Sequence, residues 1–441
     1  MKLKGVNRHE SSPATGHAVS RETMEKEIML MKRANINHVR NSHYPDDPYW
    51  YHLCNKYGIY LEDEANLESH EFRYEEASLS HPIEWEKAHI ARVMEMVHSN
   101  VNNPSVVIWS LGNEGGPGNN FVSAYRALKK FDASRPVQYE RNNDIVDMGS
   151  NQYPSVDWVS GAAQGKYDIK YPFHISEYAH SMGNACGNLA DYWEAIESTN
   201  FLCGGAIWDW VDQSLYNYDP ATGTRYLAYG GDFGDVPNDG QFVMNGIMFG
   251  DLEPKPQYYE VKKVYQHIGV KAVDIQKGIL EVFNKYYFKD LADYLVTWSL
   301  YENGNKIKSA IVDLGNLAPR TKKLITVPYG SQYLSEQSEY FLKIQFCLKE
   351  KMPWADKDYV VAEEQFRIKE AGNRPEISKV ASFGKNLELS GVKSGDNIVS
   401  VKGTGFEVAF DKSTGSIYSL KYNDEFVITE GDGPELNALR A

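Results

Sequence analysis

Val106-Val107-Ile108-Trp109-Ser110-Leu111-Gly112-Asn113-Glu114-Gly115-Gly116 is the stretch on which the reading of the chain turns. An apolar, β-branched run stops abruptly at an Asn-Glu pair and then meets glycines. A buried strand of a parallel sheet has this form, apolar on both faces, with its C-terminal tip opening into a loop. Phe173-His174-Ile175-Ser176-Glu177-Tyr178-Ala179-His180 has the same form. In α/β architectures the tips of parallel strands are where chemistry is placed.

Outward from these two stretches, strands and amphipathic helices alternate up to about residue 265. The spacing predicts strands at 3–7, 38–41, 58–62, 105–111, 136–139, 145–150, 173–177 and 204–208. Ser20 is read as the cap of a helix carrying Met24, Ile28 and Met31 on one face. Further stripes are Ile90, Met94 and Val97; Phe121, Ala124, Leu128 and Phe131; and Leu189, Trp193 and Ile196. Such i, i+3/i+4, i+7 spacings cover a sheet. Eight strands with interleaved helices over roughly 250 residues is the size of a (β/α)8 TIM barrel. A doubly wound open sheet competes, but no GxGxxG turn favours it.

After Pro254 and Pro256 the texture changes to strand-like runs near 278–283, 294–300, 322–327 and 340–346, separated by Gly-containing turns. This spacing predicts an immunoglobulin-like β-sandwich acting as a spacer. A linker is expected at 371–375, and strands at 398–401, 405–410 and 417–420. Too little chain follows for an independent core, so this part reads as the opening of a larger β domain. The expected division is 1–266 for the barrel, 267–371 for the sandwich and 376–441 for a truncated C-terminal β-supersandwich segment.

Composition narrows the function classes. The chain of 441 residues has 60 acidic against 46 basic residues, a net charge of −14, which argues against nucleic acid as a partner. Its apolar runs are too short to span a bilayer. Aromatics make up 13%, with 30 tyrosines and 9 tryptophans, as in sugar-stacking clefts but also in ordinary β-rich domains. Cys54, Cys186, Cys203 and Cys347 form no CxxC pair and read as free thiols. Met1-Lys2-Leu3-Lys4 leads into Gly5-Val6-Asn7 without an apolar h-region, so no signal peptide is read, and cytoplasmic and periplasmic locations both stay open.

Two strand-tip glutamates meet the requirement of a retaining glycosidase, one carboxyl as acid/base and the other as nucleophile. Taken singly, Asn113-Glu114 reads more readily as a loop or cap, and Glu177 as the partner of an arginine. Glu68 and His70, in Glu62-Asp63-Glu64-Ala65-Asn66-Leu67-Glu68-Ser69-His70, fall on the same side of an extended segment and could share a cation. Oxygen-rich ligation with waters would favour Mg2+, and a solvated acidic loop is the plainer reading. His9 and His43 each follow a strand and could hydrogen-bond sugar hydroxyls. Trp208 could offer a ring face to a pyranose, and Trp210 could equally be core.

The motifs also occur as an ordered set. Gly5-Val6-Asn7-Arg8-His9-Glu10, Ser42-His43-Tyr44-Pro45, the Asp63–His70 stretch, Trp109–Glu114 and Glu177-Tyr178-Ala179-His180-Ser181-Met182-Gly183-Asn184 come first. Trp208-Asp209-Trp210-Val211-Asp212-Gln213-Ser214 and Tyr229-Gly230-Gly231-Asp232-Phe233-Gly234-Asp235 follow. The set resembles the large bacterial β-galactosidases of glycoside hydrolase family 2, over most of residues 1–265. The resemblance implies a retaining exo-glycosidase hydrolysing terminal β-D-galactosides such as lactose, with Glu114 as acid/base and Glu177 as nucleophile. It implies Mg2+ held by Glu68, His70 and Glu114. Galactose contacts are implied for His9, His43, Asn113, Tyr153, His180, Trp208 and Asn238. Phe242 and Asn245 match a Na+ site that here lacks its carboxylate, and the full-length family members imply a homo-oligomer. Family members carry further domains on both sides of this region, so an incomplete galactose pocket is expected. A same-clan exo-glycosidase such as a β-glucuronidase and a non-catalytic galactoside-binding remnant stay open beside this reading.

Overall fold

The computed structural model describes residues 1–72, 74–330, 334–369 and 389–434. Eight strands form one parallel sheet: β1 (Leu3–Arg8), β2 (His38–Asn41), β3 (Tyr60–Glu64), β4 (Val106–Ser110), β5 (Val137–Gln138), β6 (Gly149–Gln152), β7 (Phe173–Tyr178) and β8 (Leu202–Ile207). Their order, β5-β4-β3-β2-β1-β8-β7-β6, closes the first strand onto the eighth and leaves a seam between β5 and β6. This is a nearly closed TIM barrel. Its helices include α1 (Arg21–Arg33), α2 (Pro48–Tyr57), α3 (Glu86–Asn100), α4 (Asn119–Phe131), α5 (Val156–Ala163), α6 (Leu189–Glu197) and α7 (Pro256–Val264).

The helices form for local reasons. Ser20 caps α1 by accepting the Thr23 amide, and Met24, Ile28 and Met31 on its inner face are buried. Asp47 caps α2, Pro48 opens it, and Gly58 ends it in the left-handed conformation. Helices α2 and α5 carry no stripe that the sequence reading caught. In α4 the stripe stops short: Phe121, Ala124 and Leu128 are buried, but Phe131, the last residue of the helix, is 52% exposed.

Three strand expectations shift, the eighth strand starting at Leu202 and not at 204. The third strand runs over Tyr60–Glu64, two residues beyond its expected place, because Gly58 is spent on the helix cap. The sixth begins at Gly149, not 145. Val146 and Met148 are buried from a turn that the Asp147 carboxylate ties down by accepting the Val137 amide and the Lys129 ammonium. Burial supplied the apolar signal there without a ladder.

The inner faces of the barrel strands are largely polar, apart from a small buried cluster of Leu3, Ile108 and Met148. Asn7, His38, Arg40, Glu62, Glu64, Gln138 and His174 are all fully buried, while the apolar core lies between the strands and the helices. Beyond β8 come β9 (Leu215–Tyr218) and β10 (Arg225–Ala228), a hairpin. Two antiparallel sheets follow. The first contains β11 (Ile268–Asp274) and β12 (Ile279–Asn284); the second contains β13 (Tyr294–Glu302) and β14 (Asn305–Val312). To these are added β15 (Lys322–Thr326) on the first, and β16 (Tyr340–Leu348) and β17 (Val360–Lys369) on the second. The barrel and these sheets lie in one compact unit.

A second unit holds five antiparallel strands between Leu389 and Ile428, paired in sequence order. The expected linker at 371–375 and the last seven residues lie outside the described residues. All four cysteines are free, as expected. Among the described residues no helix is long and apolar enough to cross a membrane.

Candidate active site

Arg40, fully buried on β2, organises the top of the barrel. Its guanidinium donates to both Glu64 oxygens (2.8 and 3.0 Å), to Glu177 Oε1 (2.7 Å), to Asn7 Oδ1 (3.0 Å) and to Asn113 Oδ1 (2.9 Å). The rigid fork of an arginine allows this multiple geometry, and a lysine would not. Glu177, near the end of β7, accepts two more bonds, from Gln152 Nε2 at 2.8 Å and from the Tyr153 hydroxyl at 2.8 Å. Burial and the facing Glu177 carboxylate push the Tyr153 phenol well up, so it remains a donor. The arginine pairing weighed for Glu177 is therefore present, but on the inner, polar side of the barrel.

Glu114 lies past the tip of β4, in a left-handed backbone conformation with φ of 41°. Its amide donates to Glu140 Oε1 at 2.9 Å. One carboxylate oxygen faces His70 Nδ1 at 2.7 Å, and the other accepts Arg141 Nη2 at 2.7 Å. Arg141 Nη2 also donates to Gln152 Oε1 at 2.8 Å. Gln152 in turn donates to Glu177 and to Asn113 Oδ1 at 2.8 Å. Two side chains, Arg141 and Gln152, thus bridge the two glutamates by hydrogen bonds.

Carboxylates crowd this region. Burial pushes Glu64 up to about 7 and Glu140 up to about 8, against the pull of Arg40 in both cases, while Glu68 is exposed and has Glu64 and Glu114 as neighbouring carboxylates. Glu68 accepts the Asn113 side-chain amide at 3.2 Å, and its backbone pairs with Asn113 as a single bridge. His70 opens a short 3-10 turn two residues past the Glu68 bridge. Glu68, His70 and Glu114 nevertheless each offer one ligand atom, all within 4.8 Å of one another.

His43 stacks on Trp208, with ring centroids 5.2 Å apart and planes at 8°. Its Nδ1 meets Glu64 Oε1 at 2.7 Å, and its Nε2 faces Glu177 Oε1 at 4.0 Å. Burial and then Arg40 push this imidazole down to about 3, so it is neutral. His9 sets its ring edge-on to both His43 and Trp208. His180 lies against Tyr153 on one side and Phe242 on the other. Trp210 is fully buried and donates to Glu27, a core role. Asn238 is not brought to this group: it sits in an exposed turn, where it bonds the Asp235 carbonyl and the Gly240 amide.

A family model described as "Glycosyl hydrolases family 2, TIM barrel domain" matches residues 1–270, more than half of the chain. The chain belongs to glycosyl hydrolase family 2. Residues 280–369 match a second model, "Beta-galactosidase, domain 4". A β-galactosidase of Priestia megaterium is 39% identical over 444 residues, covering 98% of this chain and 42% of that protein. One of Psychromonas ingrahamii is 37% identical over 462 residues, covering 100% of this chain and 44% of that protein. The chain therefore spans less than half the length of these curated relatives. The crystal structure of a family 2 β-galacturonidase from Eisenbergiella tayi, bound to galacturonate, is 22% identical over 60% of this chain and 51% of that one, with a TM-score of 0.47.

The sequence reading passed over Arg40, Glu64, Arg141 and Gln152 in this family 2 barrel. One signal was present: His38-Val39-Arg40-Asn41 and Tyr60-Leu61-Glu62-Asp63-Glu64 put charges inside strands flanked by buried positions. Opposite charges on paired strands of a buried sheet point to an internal ion pair. Gln152 and Arg141 had no such signal, since neither stands out from a solvated loop.

Proposed function

We propose that this chain carries the catalytic barrel of a retaining exo-β-galactosidase. The observation that carries the proposal is the hydrogen-bonded bridge Glu114–Arg141–Gln152–Glu177, which holds two carboxylates at one end of a parallel barrel. In this reading Glu177 attacks the anomeric carbon while Glu114 gives its proton to the departing glycosidic oxygen. A galactosyl ester on Glu177 results, and the aglycone leaves as an alcohol. Glu114, now a carboxylate, then takes a proton from water as the water displaces Glu177. Arg40 and Tyr153 each donate to one oxygen of Glu177, which fixes its orientation for attack. The His43–Trp208 stack with His9 supplies a ring wall, and Asn113, Tyr153 and His180 supply polar groups for sugar hydroxyls.

Glu68, His70 and Glu114 fit a Mg2+ ion. Glu64 and Glu114 set two further carboxylates beside Glu68, and a cation there would offset their mutual repulsion. When bound, Mg2+ supplies positive charge beside Glu114. Asn245 turns its amide to the Phe242 carbonyl and keeps a buried Oδ1 without a hydrogen-bond partner among the described residues, so these two oxygens suit part of a Na+ shell.

Incubation with 2-deoxy-2-fluoro-β-galactosyl fluoride followed by peptide mass spectrometry tests the reading, because the fluorine slows breakdown of the glycosyl-enzyme. One adduct on Glu177 is expected. An adduct elsewhere would remove Glu177 from its role. Turnover of a nitrophenyl glucuronide with none of the galactoside would replace the substrate class.

A further inference from the structure

A second cluster lies inside the barrel beneath the site above, and meets it where Glu62 Oε1 faces Arg40 Nε at 3.7 Å. His38 on β2, Glu62 on β3 and His174 on β7 are each fully buried. In the strand order β1 and β8 separate β2 from β7, so the three meet across the barrel interior. The His38 and His174 rings stand edge to face with centroids 5.1 Å apart.

The carboxylate–imidazole separations are long for hydrogen bonds and match two ligands of one ion, and all three ligand atoms lie within 4.8 Å of one another. Glu62 Oε2 is 3.6 Å from His38 Nε2 and 3.4 Å from His174 Nδ1. Nitrogen–oxygen hydrogen bonds span about 2.7–3.2 Å. Two ligands on a tetrahedral zinc, with bonds of roughly 2.05 Å, stand about 3.4 Å apart. Glu62 Oε2, His38 Nε2 and both His174 nitrogens have no hydrogen-bond partner among the described residues. Leaving so many buried polar atoms unpaired is costly.

The remaining atoms of two of these groups are already oriented. His38 Nδ1 donates to the Tyr60 carbonyl at 3.2 Å, which leaves Nε2 as the nitrogen turned to Glu62. Gln138 donates to Glu62 Oε1 at 2.6 Å, leaving Oε2 free. Gly5 on the neighbouring strand makes room: a Cβ there would lie 2.5 Å from His38 Cδ2.

We propose that His38 Nε2, Glu62 Oε2 and His174 Nδ1 bind one zinc-class divalent cation, which staples β2, β3 and β7 beneath the Arg40 layer. Two imidazoles and one carboxylate form a borderline donor set that suits Zn2+ over Mg2+. The inference does not depend on the reading of the catalytic pair.

The full chain, expressed in medium supplemented with Zn2+ or Co2+ and dialysed against EDTA, gives the test by elemental analysis and visible absorption. One ion per chain that resists EDTA is expected, with the intense visible bands of four-coordinate Co2+. The ion should be lost in folded His174→Gln and Glu62→Gln and kept in Glu68→Gln. A folded wild-type chain that retains no metal overturns the proposal. So does retained metal that survives His174→Gln or disappears with Glu68→Gln. If His174→Gln yields no folded protein, the Co2+ spectrum of Glu68→Gln decides: four-coordinate bands support the internal site, and their absence overturns it.

Discussion

Replacing Arg40 by methionine, which is of similar length and uncharged, should be the most damaging single change at the top of the barrel. It removes five hydrogen bonds between 2.7 and 3.0 Å and leaves Glu64 and Glu177 buried without their cation. Removing one partner of a buried ion pair costs about 3–5 kcal/mol. Glu64 limits its own share, because burial already pushes it up to about 7 and it can take a proton cheaply. Among the described residues Glu177 would keep Gln152 and Tyr153 as donors. A loss of about 3–5 kcal/mol translates to a fall of ~6–20 °C in melting temperature for a domain of this size. Urea and thermal unfolding followed by far-ultraviolet circular dichroism at pH 7 read it directly. Arg40→Lys keeps the charge but not the fork, and should recover only part of the loss. An Arg40→Met chain within about 1 kcal/mol of wild type would refute the reasoning, since the carboxylates would then not depend on Arg40.

Tyr153→Phe deletes one charge-assisted bond to Glu177, worth about 1.5–3 kcal/mol, and should slow hydrolysis of a nitrophenyl β-galactoside by about 10–150-fold without unfolding the chain. A rate within about twofold of wild type would count against the assigned role of Glu177. Gly112→Ala puts a Cβ 2.4 Å from the Leu67 carbonyl at a φ of +147°, so the urea midpoint should fall by the equivalent of about 1–3 kcal/mol. Lys4 gives a pH signature: burial pushes its ammonium down to about 7, against the pull of Glu197. From there up to the ordinary lysine range the unfolded chain holds a proton that the folded one has released, so rising pH favours folding. Relative to Lys4→Met, wild-type stability should rise by about 1.4 kcal/mol per pH unit above pH 7, measured by urea unfolding at pH 7, 8 and 9. A flat difference would show that Lys4 stays charged.

Barrel and strand-tip residues were legible because they sit in short contiguous signals. Val106–Ser110 is apolar and β-branched and then breaks at a polar pair, and Ser20 with its stripe marks the first helix. Signals of this kind depend on neighbours a few positions away, where periodicity and capping act. Errors arose where one residue could serve two elements, as with Gly58, or where burial came from a turn, as with Val146 and Met148. Strand β14 escaped for the opposite reason: Asn305–Val312 is almost wholly exposed and shows no apolar alternation in its burial.

The sequence by itself determined a parallel barrel whose fourth and seventh strands end near glutamates. That information is local, and an apolar strand running into a polar tip has few other uses in an α/β chain. Only the tertiary structure decided what holds those glutamates. Arg40 reaches Glu177 across 137 positions of sequence, and Gln138 reaches Glu62 across 76. No periodicity links such partners. They meet because closing the barrel turns alternate side chains of distant strands into one enclosed space, where each buried charge must find its counter-charge or donor.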